Sequence, residues 1–526
     1  MGLILATPTA SPPPWFSLAH PDALPVEADG TRKWHGSRDT YCVAAPAYRE
    51  ASRRIAAELA ARSGDHAGLQ AWPVHTEYGT LCWCDHVAVA FRTWLRRRYV
   101  TLDALNDAWG TAFWSQGYGS WDEVLPPRAT QYRHNPTHAV DFRRFSSDEM
   151  LAAFDEQRAE IRAAGSAAPV TTNLMLPTWN HLEQWSWAAA QDVVSIDHYL
   201  DSAGLEGEAF VAYASDLARS WAGRGPWLLM EQWPNHIDLG GRRVIKEEGR
   251  FTRNSLGYVA RGSQGALFFQ WRAPLSGAEA WNGGLVTHTG ADTPLFDEAR
   301  RLGDVLERIG EVATPPVSGP VVEADVAILW HADGWWALEH QHLPSDRLDY
   351  SASIRATHRA LWHQGVATDF AAPGGPLDGY RLVLVPAMFP LADDAVAELE
   401  RFVAAGGVLA VWYLSGVSGP DLHIVEGGYP GRLRALLGVR VTEVHTLDDD
   451  ATVTLTDGSV ADLWAEEVEL TGATAVAHYA TGHLAGRPAI TRSEHGAGSA
   501  YYVSTRLDAD SLAGLLGRLR HEAGVE

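Results

Sequence analysis

The sequence predicts an α/β protein: a (β/α)8 barrel followed by a smaller, flavodoxin-like α/β domain. Three observations carry that reading. Short apolar runs alternate with longer amphipathic stretches as far as about residue 310. The runs lack the polar–apolar alternation of a half-exposed sheet, so both of their faces are buried, as in a parallel sheet covered by helices. Several runs also end in residues capable of chemistry: Glu77, Asn173, Asp197, Glu231 and Gln270. The carboxyl ends of the strands are where barrels build their sites.

Taken in order, "GLILAT" (2–7) and "LQAWPVHTE" (69–77) read as strands. So do "APVTTNLM" (168–175), "QDVVSIDHY" (191–199), "GPWLLMEQ" (225–232) and "GALFFQWR" (265–272). Between them lie helical patterns at 45–64, 84–100, 101–114, 146–165, 207–222 and 246–262, one with a Gly stop and another with a Thr cap. Six strand–helix units result, two fewer than a closed barrel needs. The stretch "ATPPVSGPVVEA" (313–324) reads as a linker. It divides a barrel domain, 1–312, from a second α/β unit, 313–526. That unit has strands at 325–330, 381–387, 406–414 and 498–505, helices at 351–365, 391–404 and 509–523, and an Asp-Gly hairpin at 455–464.

Composition narrows the function. A net charge of −23 argues against nucleic acid as a partner. No apolar run is long enough to span a membrane, and the apolar start is too short for a signal peptide. Three cysteines in 526 residues are no disulfide framework and fit a reducing cytoplasm. The 22 tryptophans suit a cleft that stacks on the apolar faces of sugar rings. Glu77 and Glu231 end equivalent strands and are flanked by Trp72, Tyr78, Trp233 and Trp271. Paired carboxylates in such a cleft are the apparatus of glycoside hydrolysis.

At "ATPTASPPPW" (6–15), "EYG" (77–79), "LNDAWGTAFWSQGYGSWDEV" (105–124), "DFRRFSSDE" (141–149), "PWLLMEQ" (226–232) and "FFQWR" (268–272) the chain resembles glycoside hydrolase family 42, the bacterial β-galactosidases. The resemblance implies retaining hydrolysis of β-galactosides, with Glu77 as acid/base and Glu231 as nucleophile, and no cofactor. It makes "GLILAT" the third barrel strand, so the first two strand–helix units are expected to be missing from 1–312. It implies a homotrimer assembled through the second domain, and Arg38 as a substrate contact. Tyr199 and His288 match family positions near the barrel mouth.

Several positions depart from the family pattern. Thr76 stands where the family has Asn, Leu239 where it has Trp, and Asn282 where it has His, although Glu279 is kept. Ile196 replaces a polar residue before Asp197. Trp233 is the expected substitute for the lost stacking plate. These changes fall on groups that grip the sugar, so two alternatives stand beside the main expectation: a member of weak or no activity that still binds carbohydrate, or a glycosidase shifted toward α-L-arabinopyranosides. Some family members hold zinc through four cysteines. Cys42, Cys82 and Cys84 match three of these and Val87 the fourth, so the expectation is that no metal is bound.

Overall fold

The computed structural model describes residues 2–176, 179–200, 202–239, 242–313 and 322–526; the side chains of 237–239, 242–244 and 311–313 are not among those described. Most of the expected linker, 314–321, lies outside the described residues.

The first unit is built on parallel strands β1 (Leu3–Ile4), β2 (Leu69–Pro73), β3 (Val170–Thr171), β4 (Asn173–Leu176), β5 (Ser195–His198) and β6 (Trp227–Glu231). A short antiparallel hairpin, β7 (His236–Leu239) and β8 (Arg242–Ile245), follows before β9 (Ser263–Ala266). β1, β2 and β3 pair side by side, and β4, β5, β6 and β9 do the same. Only Thr172 separates β3 from β4, so the chain lays down six parallel strand positions in sequential order. The intervening helices are where the apolar periodicity places them. Pro46–Ser63 starts on a proline, Leu102–Trp109 is capped by Thr101 and stopped by left-handed Gly110, and Gly204–Trp221 is buried along most of its length.

Three boundaries differ from expectation. Strand 69–77 stops at Pro73, because His75 and Glu77 both adopt positive φ (64° and 52°), which a strand cannot hold. Strand 265–272 is shorter and earlier, at 263–266, and the aromatic run after it lies outside the strand. The helix expected at 146–165 begins at Pro136, with the Asn135 side chain accepting from the His138 amide. Its early turns carry His138, Asp141 and Arg144, all polar yet buried or half-buried, which hides the apolar period.

The second unit is a seven-stranded sheet in the order Thr368–Ala371, Val326–Leu329, Leu382–Val385, Val408–Trp412, Gly498–Val503, Pro488–His495 and Thr474–His478. The first five are parallel and the last two antiparallel. The fully buried "VAIL", "LVLV" and "VLAVW" form its centre. The expected hairpin is present, with Thr452–Thr454 paired to Val460–Asp462 across the Asp457-Gly458 turn. Not foreseen was the antiparallel ribbon of Val439–Thr446 with Trp464–Leu470.

The two units share one continuous buried core. Ion pairs cross between them. Arg144 forks onto Asp333 at 2.9 and 2.8 Å. Burial alone would raise the Asp333 carboxyl, but Arg144 brings it down to about 2. Arg219, fully buried in helix Gly204–Trp221, reaches Asp369 at 2.7 Å and the Thr368 carbonyl at 2.9 Å. Asp216, on the same helix, accepts from His358 at 2.9 Å. Asp369→Ala would leave the buried Arg219 with Asp216, at 3.2 Å, as its remaining carboxylate, and is expected to cost about 3 kcal/mol in urea unfolding.

Candidate active site

Glu231 is the last residue of β6, where the strand-end reading placed it. Asp197 lies one strand over in β5, paired in register with Glu231, and Asn173 opens β4. Glu77 reaches the same point from beyond the end of β2, on the turn bent by His75. One oxygen from each of Glu77, Asp197 and Glu231 lies within 4.8 Å of the others. Glu77 and Asp197 are buried and Glu231 is half-buried.

Three negative charges so close, out of water, repel one another and resist ionisation. The groups around them set which proton is kept. Arg38 pairs with Glu77 at 2.7 Å and with Asp39 at 3.0 Å. Burial opposes the Arg38 charge, but the two carboxylates more than offset it and raise its pKa. Burial is also the largest cause that pushes Glu231 up to about 7, with Glu77 adding to it. The Tyr199 hydroxyl donates to Glu231 and opposes that rise. Asp197 is fully buried, and desolvation together with the Glu231 and Glu77 charges holds its pKa far above the usual range. The Asn173 amide donates to Asp197 at 2.7 Å and to Glu231 at 3.4 Å.

The turn under Glu77 is held by buried neutral groups. The His75 ring bonds to Tyr41 at 2.7 Å and to Thr9 at 3.0 Å, and stacks on Tyr78 at 4.0 Å. Burial, helped by the Arg38 charge, lowers the His75 pKa to about 3, so the ring stays neutral. Gly79 explains the end of "EYG". A Cβ there would fall 2.3 Å from the Trp179 indole nitrogen, which donates to the Tyr78 carbonyl at 2.8 Å.

The other expected residues divide. Arg38 is at the site, although it binds the acid/base candidate. Thr76 is half-buried beside Glu77, and its side chain has no hydrogen-bond partner among the described residues. Glu279 is exposed on a loop, close enough for its charge to raise Glu231. Asn282 donates its backbone N–H to the Glu279 carbonyl at 2.8 Å. The same loop is fastened to the segment after the nucleophile strand, where the Gly283 N–H bonds to the His236 carbonyl at 3.1 Å. Trp233 corrects an expectation. It is 2% exposed and packed beneath Lys246, so in this conformation it offers no open face for a sugar ring. The Leu239 side chain lies outside the described residues. His288 is exposed and bonds the Pro274 carbonyl at 2.8 Å. Asp197 and Asn173 are the site residues that the sequence reading underrated; both were visible as polar endings of apolar runs.

The cysteines form a separate cluster. Cys42, Cys82 and Cys84 are buried, with sulfurs within 4.8 Å of one another and Cys42 to Cys84 at 3.4 Å. A closed zinc site wants a fourth ligand. Val87 is buried hydrocarbon, Asp85 points fully into solvent, and His86 is bonded to Asp22 at 2.9 Å. Among the described residues, no fourth protein ligand stands beside the three sulfurs.

Two glutamates, one ending β6 and the other on the turn after β2, hydrogen-bonded unequally around one position, are the arrangement of a glycoside hydrolase. Comparison with known proteins agrees. The sequence profile described as "Beta-galactosidase", of glycoside hydrolase family 42, matches residues 1–309, and that described as "Beta-galactosidase trimerisation domain" matches 324–526. A β-galactosidase of Arthrobacter sp. is 41% identical over 525 residues, 99% of this chain and 75% of its own length. The β-galactosidase LacZ of Heyndrickxia coagulans is 34% identical, over 100% of this chain and 79% of its own. The crystal structure of the β-galactosidase of Rahnella sp. R3 superposes with a TM-score of 0.95 at 32% identity, covering 100% of this chain and 79% of that one. The chain belongs to glycoside hydrolase family 42, and its first unit is an α/β TIM-barrel domain.

A glutamate can act as a nucleophile only in its ionised form. With the Glu231 pKa near 7, kcat/KM is expected to fall as pH drops below about 7. Tyr199→Phe removes a donor to the charged form and moves that acid limb to higher pH, which a pH–rate profile on a nitrophenyl β-galactoside reads directly.

Proposed function

We propose that the protein is a retaining β-galactosidase that releases terminal β-galactosyl units from oligosaccharides by double displacement. The observation that carries this is the spacing of Glu77 and Glu231, with carboxylate oxygens no more than 4.8 Å apart. Retaining enzymes hold the two carboxyls at about 5 Å, whereas inverting enzymes leave room for a water. Glu231 attacks the anomeric carbon from one face while Glu77, as the acid, protonates the departing oxygen. Glu77 then takes a proton from the water that hydrolyses the galactosyl–Glu231 ester. Arg38 holds the Glu77 carboxylate in place through the 2.7 Å ion pair.

The pocket departs from its relatives at the sugar. Thr76 offers a hydroxyl on a short arm and Asn282 an amide where the family has an imidazole. The reading is a galactosidase whose grip on individual galactose hydroxyls is altered while its cleavage machinery is kept. Family membership supports assembly as a homotrimer through residues 324–526, which we read as a flavodoxin-like unit. No described helix is long and apolar enough to cross a membrane; the low cysteine count supports a cytoplasmic location.

Glu231→Gln is expected to lower kcat on nitrophenyl β-galactopyranoside by about 10³-fold or more. Glu77→Ala should lose less on this good leaving group, and azide should restore turnover as β-galactosyl azide. Proton NMR of the first-formed sugar should show the β-anomer. An α-anomer as first product would overturn the retaining assignment.

A further inference from the structure

Directly behind the nucleophile strand lies a buried amine that the hydrolytic steps above do not use. Lys246 follows the β7–β8 hairpin and is 9% exposed. Its Nζ donates to Gln232 Oε1 at 2.9 Å and sits 5.0 Å from the Trp233 ring centre and 5.8 Å from that of Phe251. Its backbone N–H bonds to the Asn235 carbonyl at 2.8 Å. Among the described residues, no carboxylate pairs with it. Arg250 opposes its charge and Glu298 and Glu208 favour it, but burial is the largest influence and lowers its pKa to about 7.

A lone cation with only neutral partners is an expensive way to fill space, since an apolar side chain of that length would fit at lower cost. What the amine touches gives the reason for it. Gln232 and Trp233 are the two residues immediately after Glu231. Gln232 is held from several sides: its N–H bonds to the Leu267 carbonyl at 3.2 Å, its carbonyl accepts from the Phe269 N–H at 2.9 Å, and its Nε2 donates to Ser255 at 2.9 Å. Lys246 supplies the remaining hold, on Oε1. It also caps Trp233, so one side chain holds both residues that directly follow Glu231, while the Lys246 backbone N–H ties the chain at Asn235.

We propose that Lys246 is a positioning residue for the nucleophile: its ammonium, bonded to Gln232 and lying over Trp233, fixes the end of β6 and so the angle at which the Glu231 carboxylate meets the anomeric carbon. This rests on the reading of Glu231 as nucleophile. Small misplacements of a reacting group cost up to about 100-fold in rate, so the loss falls on the rate of attack and leaves sugar affinity alone.

The test is the rate at which the full-length protein is labelled by 2-deoxy-2-fluoro-β-D-galactosyl fluoride. In that reaction a Glu231 oxygen bonds to C1 as fluoride leaves, and the product is stable enough to be mapped by peptide mass spectrometry. Lys246→Met and Gln232→Met each remove one end of the same bond. Each is expected to slow labelling by about 10- to 100-fold, and the double variant should be no slower than the slower single one. The inhibition constant of galactose should stay within about twofold, whereas a general collapse of the site would move both quantities. Thermal unfolding identifies a variant that fails to fold, and the Gln232→Met series carries the test if Lys246→Met is that variant. Folded Lys246→Met labelled on Glu231 at the wild-type rate overturns the proposal. A label on any residue other than Glu231 in the wild type overturns the nucleophile assignment instead.

Discussion

Crowding of acid groups at the mouth of the barrel is the constraint on which the rest of the structure depends. A carboxylate taken out of water gives up solvation that only fixed dipoles and opposite charges replace. Three of them together cannot all be ionised. The fold answers with an unequal set of neighbours. Glu77 receives a guanidinium, Glu231 a phenol and an amide, and Asp197 the same amide and otherwise the repulsion of the other two. The asymmetry gives the three acid groups unlike surroundings before a substrate arrives.

The scaffolding that maintains this asymmetry reaches well beyond the carboxylates. Glu77 sits on backbone in a sparsely populated conformation, and such a turn persists only where its surroundings over-determine it. Here they do: His75 is held from both ring nitrogens, Tyr78 is wedged against it, and Trp179 closes on the space that Gly79 leaves. On the opposite side, the loop bearing Glu279 and Asn282 is bonded to the turn that follows the nucleophile. The pocket is thus framed by segments distant in sequence but fastened to one another by backbone hydrogen bonds, which hold their geometry better than long side chains do.

Much of this was legible in the sequence. Glu231 closes an apolar run, and that pattern gives the strand and the carboxylate at its end. The core of the second unit was equally plain, because "LVLV" and "VLAVW" admit few readings. Glu77 was placed at the right site for a partly wrong reason. The strand does not extend to it, since two left-handed residues intervene, and nothing in "HTE" announces positive φ at His and Glu. Trp233 followed an aromatic pattern that fits a cleft and a core equally well, and burial decided for the core. The early turns of helix Pro136–Ala163 were hidden because their polar residues are spent on buried contacts such as Arg144 with Asp333. Pairings between segments that far apart leave no periodic trace.

Two sequence profiles divide this chain in the low 300s, yet its hydrophobic interior does not divide there. Helix Gly204–Trp221 is buried almost throughout and spends Asp216 and Arg219 on residues more than 140 positions downstream. The units of inheritance and the units of folding are therefore different objects in this molecule. A fragment cut at the profile boundary would keep Glu77, Asp197 and Glu231 and still expose a wall of apolar surface and unmatched charges to solvent. Recombining such barrels with foreign second units would succeed only where the donor brings a matching Asp369 and His358.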